Sequence, residues 1–259
     1  MSLLPREHGA YGQITLPLVT TFFTAGASTA GLLIAAATAA GFLAHEPAAV
    51  LVGLRGPRAR RELHAPALRW FIACGVIGVT AGVTGWLLMP AHARGSVVIP
   101  LVPALALAAS TLQRSEKSWH AQVATALAFS GVAVPVAMAA GASLMAGLSI
   151  AIPFAVLFVT TTLAVRVVIL RVRGGGDPRA VAATRLAVII LCVVAAAALT
   201  AGVATSVLPS SVLPASAPGL LTALFVSLRP PSPAHLYKLG WTLVAVSVVT
   251  GVVIVVMQR

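Results

Sequence analysis

The chain has 259 residues, of which 59% are hydrophobic and 8% charged, against about 25% charged in a soluble domain. That leaves too little polar surface to cover a core in water, which excludes a water-soluble enzyme. Seventeen Lys and Arg face five acids, a formal net charge of +12. On a soluble protein this would point to nucleic acid. No stretch interleaves bases with aromatics as a nucleic-acid platform does, so no nucleic-acid partner is expected. The chain reads as an all-α polytopic membrane helix bundle, with the lipid bilayer as its surroundings.

The start, Met1-Ser2-Leu3-Leu4-Pro5-Arg6-Glu7-His8, lacks the basic leader and cleavage site of a signal peptide. A membrane-crossing helix needs about 20 apolar residues. Nine segments are candidates: Ala10–Ala27, Gly31–Leu54, Trp70–Met89, Val97–Leu112, Ala121–Ala140, Leu144–Leu170, Leu186–Leu208, Ala215–Leu228 and Leu239–Met257. The fourth and eighth are short and carry Pro100, Pro103 and Pro218, so tilt, a kink or partial spanning is expected. The stretches Arg55–Arg69 and Arg171–Arg185 are expected to be non-membrane connections of about 15 residues. Small residues recur on one face of the second helix (Gly31, Ala35, Ala39) and of the third (Gly75, Gly78, Gly82, Gly85), which favours close helix packing.

Alternate connections share the basic residues unequally. One side holds 14 of the 17, and the other holds Arg94 and Arg259, with Arg166 inside the sixth segment. By the positive-inside rule this places the N-terminus inside and, after nine helices, the C-terminus outside. The expected setting is the cell inner (cytoplasmic) membrane, crossed several times by a single domain over residues 1–259. Cys74 and Cys192 lie in apolar runs without a CxxC partner, so neither a disulfide nor a metal site is indicated.

Ionisable groups inside membrane segments are expensive and are functional candidates by default. His45-Glu46-Pro47 lies in the second segment, eight or nine residues before its basic end. His45 and Glu46 are the candidate catalytic or acid/base pair. An early helix end at Pro47 or Gly53 would instead leave them as a wet terminus. Arg6, Glu7 and His8 form a second polar cluster, in which Glu7 also suits the first turn of a helix. Arg114, Glu116, Lys117 and His120 form a third, beside the interfacial anchor Trp119. These seven are the candidate ligand-binding residues. All five acids gather on the inner side, which suggests a polar cavity open to the cytoplasm. Arg55, Arg58, Arg60 and Arg61 suit an anionic head group, although an Arg-rich inner loop is also explained by topology. No cofactor is specified.

The motif Pro5-Arg6-Glu7-His8-Gly9-Ala10-Tyr11 resembles the N-terminal signature of the YwiC-like membrane proteins of bacteria. That resemblance implies an integral membrane protein and no particular reaction. Nine helices with polar inner loops after the second and sixth also resemble the UbiA superfamily of intramembrane prenyltransferases. Those enzymes use Asp-rich motifs to hold Mg²⁺ on a prenyl diphosphate, and His45-Glu46 stands roughly where the first such motif would lie. This chain departs from the pattern: it has no Asn and a single Asp, and Ala49, Val50 and Leu51 follow where spaced carboxylates would be needed. The likeness implies a UbiA-like bundle binding an anionic lipid or isoprenoid ligand, as a degenerate or non-standard intramembrane transferase. The alternatives are a haem- or quinone-binding or assembly protein, with His8 and His45 as axial ligands, and a proton-coupled small-solute transporter relaying through Glu46 and His45.

Overall fold

Alanine, leucine and valine runs with sparse turn residues favour helix throughout, and the computed structural model is helical in every regular element it describes. It describes residues 3–4, 8–115, 118–173, 177–232 and 235–258. The elements are α1 (His8–Ala25), α2 (Thr29–Val52), α3 (Pro57–Leu88), a 3₁₀ segment (Ala91–Val97) leading into α4 (Val98–Leu112), α5 (Trp119–Gly131), α6 (Ala133–Ala139), α7 (Leu144–Arg173), α8 (Pro178–Ala204), α9 (Val212–Leu228) and α10 (Leu236–Gln258). With the 3₁₀ segment joined to α4 and α5 joined to α6, they correspond in order to the nine predicted segments.

Seven of these segments are long and apolar enough to cross a membrane. The α1 helix, with four threonines and Gln13, is more polar. The 17 residues of α9 span about 26 Å, slightly less than the roughly 30 Å hydrocarbon core. The fifth segment breaks between α5 and α6 because Pro135 has no N–H to bond the carbonyl of Gly131.

The stretches Arg55–Arg69 and Arg171–Arg185, read as non-membrane from the sequence, are helical over most of their described residues. Arg58, Arg60, Arg61 and Arg69 ride on the first turns of α3, α7 continues to Arg173, and α8 begins at Pro178. Apolarity marks only the buried length of a helix, whereas Arg, Leu, Ala and Glu sustain helix beyond it. Pro57 and Pro178 occupy first-turn positions where a missing N–H costs nothing. Asp177 caps α8, its side chain accepting from the Arg179 N–H at 3.0 Å. Glu62 pairs with Arg58 one turn earlier at 2.7 Å.

Small residues set the helix packing. On α3, Gly78 and Gly82 face Ala40 and Ala37 of α2, and a Cβ on Gly85 would lie 3.1 Å from the Ala30 carbonyl. Gly31 turns instead to α6, against Val136, and Gly75 has nothing within 4 Å. The stripes read in the sequence are therefore split between partners. The core centres on α5, α6 and α7, with Phe129, Val134, Phe154 and Leu157 buried. A second cluster joins α7, α8, α9 and α10 through Val167, Val188, Val226 and Leu239. Outward faces are apolar too: Val76, Val79 and Val83 on α3 are all more than half exposed. Such a surface suits lipid and not water.

Cross-links fix the two ends of the bundle. At the basic end Arg114, after α4, reaches the Val52 carbonyl of α2. At the other end Gln258 donates to Ser149 at 2.6 Å, joining α10 to the start of α7. Arg94, at that sparsely charged end, donates to the Leu87 and Met89 carbonyls at 2.8 and 3.3 Å and lies over Trp86. It covers carbonyls that the end of α3 leaves unpaired.

Candidate functional site at the basic end of α2 and α3

The helix α2 does not stop at Pro47; it runs on to Val52 and ends at Gly53. Gly53 has φ 84°, a left-handed conformation that L side chains resist. Its N–H bonds Val50 at 3.0 Å, and the Leu54 N–H bonds Ala49 at 2.9 Å. Gly56, at φ 92°, completes the turn before Pro57 opens α3. A four-residue turn thus reverses the chain and folds Arg55 back over the last turns of α2.

Arg55 meets Glu46 there. Its Nε donates to Oε1 at 2.8 Å and its Nη2 to Oε2 at 2.7 Å. This two-bond fork is the strongest geometry for an arginine–carboxylate pair. Glu46 is 8% exposed, so an unpaired carboxylate at this place would be costly. Pro47 beside it is also buried, and His45 is half-buried.

Two further arginines converge on the same turn. A Cβ built on Gly53 would stand 3.9 Å from Arg60 Nη1 and 3.8 Å from Arg114 Nη2. Arg114 itself has φ 58° and donates from Nη2 to the Val52 carbonyl at 3.3 Å. Among the described residues neither Arg60 nor Arg114 has a carboxylate partner. Both arginines are exposed, so the two positive charges stand at one solvent-facing helix end.

The aromatic end of the N-terminal motif is tied to this region. Tyr11 of α1 packs edge-on against Phe42 of α2 with ring centroids 5.0 Å apart, and Phe42 packs against Phe129 of α5 at 5.6 Å. Glu46 lies one turn beyond Phe42 on the same face of α2. His8 begins α1, and its side chain lies outside the description, as do Arg6, Glu7, Glu116 and Lys117. His120 is exposed and stacks on Trp119 at 3.6 Å, with no described contact to Glu46. The structure therefore brings Arg114 to the end of α2 near Glu46 and leaves His120 aside.

Arg55 and Arg60, which the sequence offers both as orientation signals and as partners for an anionic head group, stand at the turn that follows Glu46. The available clue was the glycine seven residues after Glu46, whose turn returns Arg55, nine residues after Glu46, to the carboxylate.

A family model described as YwiC-like protein matches residues 4–138. The matched stretch includes the N-terminal motif, the Tyr11–Phe42–Phe129 chain, the Glu46–Arg55 pair and Arg114. No curated protein and no solved structure matches the chain.

Proposed function

We propose that this chain, which belongs to the YwiC-like family and is an integral membrane helix bundle, binds an anionic lipid or isoprenoid ligand at its basic, cytoplasm-facing end. The observation that carries the reading is the convergence of Arg60 and Arg114 on Gly53, beside an Arg55 whose own charge is already matched by Glu46. Guanidinium forks suit phosphate and diphosphate oxygens and need no bridging metal to do so. In this reading Arg60 and Arg114 hold the anion. Glu46 is a positioning residue that fixes Arg55, and so the turn, in place. His45, half-buried beside Glu46, borders the same helix end and is the candidate acid/base group if a reaction follows. The isoprenoid class comes from the UbiA-like layout of the sequence, and an anionic membrane lipid shares the same head-group chemistry.

The test uses the purified full chain in neutral detergent, titrated with farnesyl diphosphate and with farnesol. Farnesyl diphosphate is expected to bind and farnesol to bind at least tenfold more weakly. Each charged hydrogen bond lost contributes about 1.5–3 kcal/mol, so the Arg60→Ala/Arg114→Ala double variant is expected to weaken binding by at least tenfold. Equal binding of alcohol and diphosphate, or an unchanged double variant, overturns the reading.

A further inference from the structure

We propose that the groove between α9 and α10 is a second, separate site, which holds one anionic phospholipid of the surrounding bilayer. The groove has a volume of about 410 Å³ and lies at the basic end of the bundle, outside the region matched by the family model. Its walls change character along its length. Leu221, Phe225 and Arg229 follow one another at four-residue spacing along α9 and its end, a rise of about 12 Å from apolar to cationic. Lys238 and His235 join Arg229 at the mouth. Val226 and Leu239 are buried and form part of the floor, while Leu221 and Phe225 are 66% and 62% exposed on the lipid-facing rim. The order is cations at the interface and mainly apolar side chains below, with the Thr222 and Thr242 hydroxyls bonded to carbonyls of their own helices, and it is that of a phospholipid from head to tail.

Among the described residues that line the groove there is no carboxylate. Neither Arg229 nor Lys238 forms a hydrogen bond or ion pair through its side chain with a described residue. The described carboxylates are engaged elsewhere: Glu46 with Arg55, Glu62 with Arg58, and Asp177 at the cap of α8. Lys238 sits in the first turn of α10, where the helix dipole is positive and a cation is unfavourable. A phosphate there would offset both the dipole and the pair of cations. Ser232 bonds the His235 Nδ1 at 2.7 Å, which fixes the imidazole at the rim. Positive-inside sorting explains cations in this connection but not their placement at the head of an apolar trench.

Native mass spectrometry of the delipidated full chain tests this with phosphatidylglycerol and phosphatidylcholine. Phosphatidylglycerol is expected to be retained at least fivefold more than phosphatidylcholine. The Arg229→Ala/Lys238→Ala variant is expected to lose that preference, while Arg179→Ala, an exposed arginine of α8, retains it. Leu221→Ala/Phe225→Ala, at exposed positions that do not endanger folding, is expected to lower retention of phosphatidylglycerol as well. A preference that survives Arg229→Ala/Lys238→Ala but falls in Arg60→Ala/Arg114→Ala would place the lipid at the α2–α3 turn and overturn this inference alone. Farnesyl diphosphate that displaces phosphatidylglycerol from the Arg60→Ala/Arg114→Ala protein, and binds it more tightly, would make the groove an isoprenoid site and overturn it too. Equal retention of the two lipids by the unaltered protein would likewise overturn it.

Discussion

Glu46 shows how a single residue can be named from sequence and yet change meaning in the fold. A lone carboxylate in an apolar run is an outlier that hydropathy alone reveals. Its partner, Arg55, is nine residues away and is delivered only by the left-handed Gly53 and the short turn that follows. Removing one member of a largely buried pair leaves the other charge uncompensated. Glu46→Ala is therefore expected to destabilise the protein by about 2 kcal/mol, read as a lower Tm of the purified protein in detergent. The Glu46→Leu/Arg55→Leu variant should recover much of that loss, because replacing both partners by apolar groups is often nearly neutral. If the double variant is no more stable than Glu46→Ala, the fork is not the source of the stability. His120 shows the opposite case: its place beside Glu116 and Lys117 in the sequence gave it a role, but its ring is spent on Trp119 at an exposed position.

At the scale of elements, glycine content by itself does not say which helices touch. Gly219 of α9 is packed so closely on α7 that an added Cβ would stand 2.8 Å from the Leu157 Cα, a backbone atom that cannot swing aside. Gly219→Ala is expected to destabilise by about 1–3 kcal/mol through overpacking. Gly75 of α3 faces open space, so Gly75→Ala should be neutral or stabilising by up to about 1 kcal/mol through helix propensity. Thermal unfolding of both variants in the same detergent checks the contrast, and an equal effect would mean that the α7–α9 contact is looser than it stands here. Helix ends followed the same logic. The apolar runs located each crossing, but the polar extensions of α3, α7 and α8 rest on proline at the first turn, the Asp177 cap and good helix formers, none of which hydropathy weighs.

For the whole molecule, the alternation of basic and nearly uncharged connections predicts sidedness. After Cys74 and Cys192 are replaced by alanine, Ser115→Cys should react with an impermeant maleimide only in inside-out vesicles. Ser210→Cys, in the connection between α8 and α9, should react in intact cells. The reverse pattern would invert the bundle and turn both proposed anion sites to the outer face.

The sequence by itself determined the class of the protein, the order of its crossings and the end at which charge gathers. These depend on composition and on runs of neighbouring residues, and a bilayer imposes its demand for apolar length on each run separately. It also singled out the N-terminal motif, Glu46 and Arg114, because rare residue types stand out in so apolar a chain. Only the tertiary structure decided that Arg55 closes on Glu46, that Arg60 and Arg114 meet at one glycine, and that Arg229 and Lys238 head an apolar groove. Those are relations between residues on different helices or across a turn. They depend on which small-residue face meets which neighbour and on the handedness of a single glycine, neither of which periodicity or composition encodes.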